Sequence, residues 1–528
     1  MRSQRTVLAI VHNITAATRL LDVLQLLGHD DRIQTVFTIP GSSAFTEGTD
    51  RFLTEHGIRL HEPGTLGDSK IDLVISASFG DELNFRPAPK VVLPHGIGYN
   101  KYLNREPGTG NVFGLSAEWL YDKHGDLVAD LLVLSHEEQL DRLRRSCPGA
   151  THIALVAGDP CLDRMLASAP LRPVYRRAFG VTRGQRLVLV SSTWGEQSLL
   201  AQHPETIREM ARLPLDEYRV VVALHPNIGA WHSSWQVARW LDDCERAGVT
   251  VLPPLEGWRA ALVAADLVIG DHGSVPFYGA AIGRPVLLAR APEHTMAPDS
   301  AVGRFLRAAP RWKPGQDLAA RSDAVIREHD PETLRPVTEL ASSAVGESAS
   351  LLRKAFYRLL DLPEPADPAE VRTVPVPTEG IREASAQLVR AELVDDATVE
   401  ITRYPAELMS VEDALPSGTH LVSDTETPAR RMLELAEIMV VPDPADGPAL
   451  LRALPGCLLA TGQSRDGAWE VVTREGHWIR FGGAEAHGRL CASLVHAWLT
   501  DGRELADLPS QMLLRHGSRL VELTVRIG

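Results

Sequence analysis

The chain reads as an α/β protein of two facing lobes, each a doubly wound parallel sheet, followed by a smaller α/β unit. Three observations predict this. Short apolar runs recur with helical segments between them, and the repetition occurs twice over stretches of about 150–180 residues. A connection rich in Pro, Glu and Asp then precedes a final stretch with a different rhythm. At 528 residues the chain has room for three domains that each bury a core.

In the first series Val7–Val11 predicts a buried parallel strand. His12-Asn13-Ile14-Thr15 follows, then a helix with Leu20, Leu21, Leu24 and Leu27 on one face, closed by Gly28. Further strands are predicted at Thr35–Ile39, Leu73–Ser76, Lys90–Leu93, Leu131–Leu134 and Ile153–Val156. The second series holds Arg186–Val190, Arg219–Leu224, Val249–Leu252, Leu267–Ile269 and Val286–Ala289, and a helix over Leu340–Leu360 is expected to close it. The boundaries are therefore residues 1–170 for lobe one, 171–362 for lobe two, 363–378 for a semi-rigid linker and 379–528 for the accessory unit. In that unit strands are expected at Val399–Ile401, Leu421–Val422, Ile438–Val441, Leu458–Ala460 and Glu470–Val472. Helices are expected around Met432–Leu435 and Leu490–Leu499, with Trp469, Trp478 and Trp498 in the core.

A net charge of −14 argues against a nucleic-acid binder, which needs a basic field. Cys147, Cys161, Cys244, Cys457 and Cys491 are scattered, without a CxxC pair, and read as reduced thiols. The apolar run near the N-terminus is too short for a signal segment, and no run approaches the ~18 residues of a membrane span. The expectation is a soluble cytoplasmic protein with no transmembrane segment; its oligomeric state is left open.

The chemistry concentrates at predicted strand ends. Gly270-Asp271-His272-Gly273-Ser274-Val275 follows a strand and opens a helix, an arrangement that offers free N–H groups and a positive dipole end to a diphosphate. A plain strand-turn-helix connection uses the same Gly and Ser residues. His95 (in VVLPHGIG, with Gly96 and Gly98) and His225 (in RVVVALHP) sit one in each lobe, both just past strands, where histidine suits acid–base work near neutral pH. His12 and His272 are similarly placed, with packing roles equally available to them. Ser191-Ser192-Thr193-Trp194-Gly195 supplies hydroxyls that serve either phosphate or the turn itself. No Walker loop, HExxH, GxSxG or proper GxGxxG is present; Gly108-Thr109-Gly110 is followed by Gly114, one residue too late. Asp424-Thr425-Glu426 is too isolated to be given a metal.

The order of these segments (HG, then STW, then LHP, then GDHGSV followed by GRPVLL) resembles the CDP-glycerol glycerophosphotransferases of wall teichoic acid synthesis. It is similar, more loosely, to the glycosyltransferase-B superfamily and the non-hydrolysing UDP-N-acetylglucosamine 2-epimerases. Val156-Ala157-Gly158-Asp159-Pro160-Cys161-Leu162-Asp163 looks like the GxPxxD step that ends their first lobe. At motif level the resemblance spans about residues 90–290, and it does not reach the last 150 or so.

It implies two Rossmann-like lobes of glycosyltransferase-B type, with an acceptor side built on His12, Gly96 and Gly98. His95 is implied as general base on the acceptor hydroxyl, and His225 as the contact to donor phosphates. Ser192, Thr193, Asp271, His272, Gly273, Ser274 and Val275 are implied as the donor-phosphate site. No metal and no cofactor are implied; a nucleotide-diphosphate-activated sugar or polyol and a hydroxyl acceptor would be the substrates. Where the glycerophosphotransferases carry Asp-Tyr-Ser-Ser this chain has Asp271-His272-Gly273-Ser274, which leaves the donor open. Two other readings stay open at this point. One is a sugar-nucleotide epimerase using carboxylates among Asp81, Glu82, Glu118, Asp159 and Asp163. The other is a degenerate nucleotide-binding scaffold whose C-terminal unit binds a protein.

Overall fold

A computed structural model describes residues 3–28, 30–40, 48–62, 70–80, 88–102, 111–254, 256–378, 380–409 and 418–528. The first apolar series forms one six-stranded parallel sheet in the order β2-β1-β3-β4-β5-β6. Its strands are β1 (Arg5–Ile10), β2 (Ile33–Thr38), β3 (Leu73–Ser76), β4 (Lys90–Val92), β5 (Leu131–Leu134) and β6 (Ala154–Val156). The second forms a five-stranded parallel sheet, β11-β10-β7-β8-β9, from β7 (Arg186–Ser192), β8 (Tyr218–Leu224), β9 (Thr250–Val251), β10 (Leu267–Gly270) and β11 (Val286–Leu288). Helices cover both faces, so the central strands are strongly apolar, and β3, β5 and β10 are buried at every position.

Each sheet reverses its strand order once, between β1 and β3 in lobe one and between β7 and β10 in lobe two. In open α/β sheets the crevice beyond the carboxyl ends at such a point is where ligands bind. Here the two crevices face each other.

The segment over 340–360 departs from expectation. Its helix, Ser348–Leu359, crosses back and packs on lobe one, where Leu352, Ala355, Phe356 and Tyr357 join the core of β1 and β3. Tyr357 donates its hydroxyl to Asp30 at 2.8 Å, fixing the return. The apolar stripe was legible, but a stripe does not name the surface that it covers. Gly28 also differs: a 3₁₀ turn (Gln25–Leu27) precedes it, and its φ of −72° is right-handed. The linker is bonded down along the lobes, with Val374 donating its N–H to Ser168 Oγ and accepting from the Tyr175 hydroxyl.

The C-terminal unit contains the expected strands and four more, and they close into a nine-stranded barrel. Its strands are β12 (Ala386–Leu393), β13 (Thr398–Pro405), β14 (Thr419–Asp424), β15 (Ile438–Val440), β16 (Leu459–Gln463), β17 (Trp469–Thr473), β18 (Trp478–Gly482), β19 (Gln511–His516) and β20 (Arg519–Ile527). Strands β14, β15 and β16 are parallel neighbours linked by helices, while most of the rest pair antiparallel. The helix Cys491–Thr500 is buried along most of its length and shares a core with inward residues of the strands, Val399, Ile438, Val471, Phe481 and Leu514 among them. Trp498 is in that core, while Trp469 and Trp478 are partly buried against the unit's cores. No helix among the described residues is long and apolar enough to cross a membrane.

Candidate active site between the lobes

The facing strand ends enclose a cavity of about 860 Å³, lined from both lobes. Lobe one contributes His12 after β1, Ala77 and Ser78 after β3, and Pro94–Tyr102 after β4. Lobe two contributes Ser191–Trp194 at the end of β7, Ala223–Asn227 at the end of β8, and His272–Val275 after β10. The volume suits a nucleotide-sized ligand.

His95 and His225 both line this cavity, and their rings are held in opposite senses. His95 Nδ1 lies 3.1 Å from the Ala77 carbonyl oxygen. A carbonyl only accepts, so the proton is on Nδ1 and Nε2 carries the lone pair. His225 is the N-cap of the helix Pro226–His232, and its Nδ1 accepts from the Asn227 N–H at 3.2 Å. The neutral ring therefore carries its proton on Nε2 and is a donor on that side. Burial pushes the pKa of His95 down to about 4, reinforced by Lys101 and Arg19, and that of His225 to about 3, reinforced by Lys101 and His95. Both rings are neutral at pH 7.

Lys101, six residues after His95, is a site residue that the sequence reading missed. It lines the cavity, bridges to Met296 of lobe two, and perturbs His95, His225 and His272. Its surface is open to the cavity's solvent, while the surrounding walls lower its pKa and Asp271 pulls the other way. No motif marked it, because its place depends on a contact between the lobes.

The turn after β10 divides into residues that face the cavity and one that does not. Asp271 is buried and is not among the lining residues. Its carboxylate accepts from Thr193 N–H and Oγ1 (both 2.9 Å), Leu199 N–H (2.8 Å) and Gly273 N–H (3.1 Å). Burial raises its pKa and these bonds oppose the rise. Asp271 thus belongs to the scaffold that ties the β7 and β10 turns together, and its assignment to the phosphate site is corrected: an anionic group there would repel phosphate. Ser192 lines the cavity, and its hydroxyl accepts from Leu200 N–H and donates to the Thr193 carbonyl.

Gly273 is required by close approach, since a Cβ there would stand 2.5 Å from Thr193 Cγ2. It caps the helix Ser274–Ala281 with no side chain, so the first-turn N–H groups of Ser274 and Val275 are left for a ligand. His272 is 7% exposed, lines the cavity, and has no partner for Nδ1 among the described residues; burial takes its pKa down to about 3.

On the acceptor side Gly96 and Gly98 line the cavity, and so does His12, whose Nδ1 lies 3.4 Å from Ser76 Oγ. Gly98 has a backbone reason for being glycine: its φ is +60° and a Cβ would strike the Gln139 amide.

Beneath the cavity the lobes are joined by buried charge. Asp159, the N-cap of the helix Pro160–Ala167, accepts from Arg19 (3.1 Å), the Tyr278 hydroxyl (2.7 Å) and two backbone N–H groups. Arg19 also reaches the Tyr278 oxygen (2.9 Å) and the Gly96 carbonyl (3.3 Å). Asp22 pairs with Arg164 and with Arg259 of lobe two.

Among the described residues, the carboxylates considered for epimerase chemistry do not gather in the cavity. Asp163 accepts from Gly346 and Ser348, Asp159 is committed as above, and Glu118 is exposed outside the lining. Asp81, Glu82, Gly108, Thr109 and Gly110 lie outside the described residues. Asp424 pairs with Arg489 at 3.0 Å and accepts from the Glu426 N–H.

No family model matches the chain, and no curated protein does. Among solved structures it is similar to the wall teichoic acid polymerase TagF, with a TM-score of 0.46 and 11% identity over 68% of this chain and 90% of that one. It is similar also to the S. aureus MnaA–UDP structure (TM-score 0.40, 12% identity, 69% and 99% covered). A third is the UDP-GlcNAc 2-epimerase from Neisseria meningitidis bound to UDP-GlcNAc (TM-score 0.40, 14% identity, 67% and 99% covered).

Proposed function

We propose that the chain is a transferase moving a glycosyl or polyol-phosphate group from a nucleotide-diphosphate donor to a hydroxyl acceptor. The observation that carries this is the pairing of His95 and His225 across one cavity, one presenting a lone pair and the other an N–H. In this reading His95 Nε2 takes the proton of the acceptor hydroxyl. The acceptor oxygen then attacks the donor's anomeric carbon or its outer phosphorus, and the nucleotide leaves with the bonding electrons. Charge growing on the leaving phosphate is met by His225 Nε2–H, the Lys101 ammonium and the Ser274 and Val275 N–H groups. Both proton roles use neutral rings, as the lowered pKa values require.

The lining favours this over epimerisation. Among its described residues it holds Lys101, Arg19 and Arg259 and no carboxylate. The Lys101 ammonium suits an anionic donor, whereas Asp159 and Asp163, two of the groups that the epimerase reading needs, are bound elsewhere.

The test is a thermal-shift series with CDP-glycerol, UDP-sugars and GDP-sugars, followed by turnover with the stabilising donor. His95→Ala should lower kcat at least about 100-fold with donor affinity nearly intact. Retained turnover removes His95 from the base role, and no stabilisation by any nucleotide removes the donor.

A further inference from the structure

A second cavity, of about 200 Å³, lies where lobe two meets the barrel. It is at the amino ends of the lobe-two strands, opposite the carboxyl ends that line the cleft. Backbone bonds hold this seam: the Leu215 N–H donates to the Arg403 carbonyl at 2.9 Å, and the Ser385 N–H to the Arg246 carbonyl at 3.3 Å.

Inside it, Asp216 is buried and already committed. Arg403 donates to its carboxylate through Nε (3.2 and 3.1 Å) and Nη2 (2.6 Å), and His516 Nδ1 lies 3.1 Å away. Burial alone would raise the Asp216 pKa, but His516 and Arg403 outweigh it and hold the carboxyl well below its usual range. His516 gives Nδ1–H to this carboxylate, so its Nε2 is the nitrogen left over. The residue is 5% exposed, and Nε2 has no partner among the described residues.

Four further arginines line the same space; Arg489 is paired with Asp424, while Arg183, Arg219 and Arg519 form no ion pair among the described residues. Arg519 Nη1 donates to His487 Nε2 at 3.4 Å. Arg219 donates Nη1 to the Arg382 carbonyl at 2.6 Å, and its buried Nε has no partner. The remaining carboxylate of the lining, on Glu383, is exposed. The positive field is felt by His487, whose ring lies 4.7 Å from that of His516 and tilted to it: burial lowers its pKa to about 4, with His516, Arg519 and Arg403 adding to the effect.

A small cavity with surplus guanidinium charge and an unsatisfied ring nitrogen suits a small oxyanion. It is smaller than the roughly 300 Å³ at which drug-sized sites begin, so a nucleoside diphosphate does not fit. We propose that the seam binds a phosphate group, either free or as a small phosphomonoester, independently of whatever the cleft binds. Arg219 and Arg519 donate to its oxygens. His516 Nε2, the ring nitrogen left without a partner, is the third group offered to it. The bound anion thereby joins the barrel to lobe two.

The experiment titrates the full-length protein with inorganic phosphate and with ethyl phosphate, by calorimetry and by thermal midpoint. Wild type and Lys101→Gln, a change in the cleft, should respond alike. Arg219→Gln with Arg519→Gln should bind at least about tenfold more weakly, since charge-assisted donors are lost. Equal response to both compounds assigns the ester class, and response to inorganic phosphate alone assigns the free ion. No response in wild type, an undiminished response in the double variant, or loss in Lys101→Gln alone overturns the site. Should the double variant not fold, wild-type crystals soaked in tungstate decide: density between Arg219 and Arg519 supports the proposal, and its absence there refutes it.

Discussion

Gly96 of lobe one and Ser274 of lobe two touch across the cleft. The Ile97 N–H points at Ser274 Oγ from 3.4 Å, and a Cβ on Gly96 would lie 2.8 Å from that oxygen but 4.0 Å from Ser274 Cβ. Gly96→Ala should therefore push the Ser274 hydroxyl aside and disturb the helix N-terminus assigned to donor phosphate. The expected result is a several-fold higher donor KM with little change in thermal midpoint, because a hydroxyl rotates at low cost. Adding Ser274→Ala removes the clash and should recover part of the loss. A double-mutant cycle reads the coupling, and strictly additive effects would show that the two residues do not meet in solution.

The Asp159 carboxylate joins Arg19 and Tyr278 at the base of the cleft, with Asp159 and Arg19 at 1% and 4% exposure. Asp159→Ala leaves a buried guanidinium without its partner and should cost about 3–5 kcal/mol. Tyr278→Phe removes one hydroxyl from the set and should cost about 1–3 kcal/mol. Urea unfolding followed by a probe in each lobe measures both. Equal, small losses would mean that water replaces the network.

The base assigned to His95 has to be neutral, and its pKa is down at about 4 through burial, Lys101 and Arg19. Lowering the pH protonates it, so activity falls on the acid side only as pH approaches 4. A profile of kcat/KM, which reports the free enzyme, should be flat through pH 6.5, the ordinary histidine value. Lys101→Gln removes one of the cations and should move the acid limb upward. A limb near 6.5 in the wild-type enzyme would contradict the burial of His95.

His272 carries the same physics into stability. Its folded pKa is about 3, against about 6.5 when unfolded, so between these values the unfolded chain binds the extra proton. Stability contributed by the neutral buried ring is complete above pH 6.5 and is lost as pH falls towards 3, by up to about 1.4 kcal/mol per pH unit. His272→Asn should show a shallower decline of thermal midpoint between pH 6.5 and 4 than wild type. Identical slopes would mean that the ring is protonated in the fold.

Much of this molecule is legible in local patterns. Strongly apolar runs such as Leu73–Ser76 and Leu131–Leu134 became strands with the predicted bounds, because a strand covered on both faces has few positions open to polar residues. The strand-end residues His95, His225 and Gly273–Val275 were legible for a related reason: a parallel sheet puts its carboxyl ends, and whatever follows them, on one edge. The four missed strands show the limit. Segments such as RLVELTVRI in β20 alternate apolar and charged residues, and without a partner strand to bury one face that pattern looks like surface.

The chain's own order thus determined where the strands of the two lobes lie, that two parallel sheets form, and which side chains stand at their tips. Only the tertiary structure decided which way those side chains turn. Asp271 faces inward because four donors from the β7 and β10 turns surround its carboxylate. Lys101 enters the cavity from a loop bridged to lobe two, and Ser348–Leu359 returns to cover lobe one. The closure of the barrel and the cations at its seam come from pairings between residues far apart in sequence, such as Asp216 with Arg403 and His516. Periodicity records what a residue needs to bury; the partner that buries it is settled by packing.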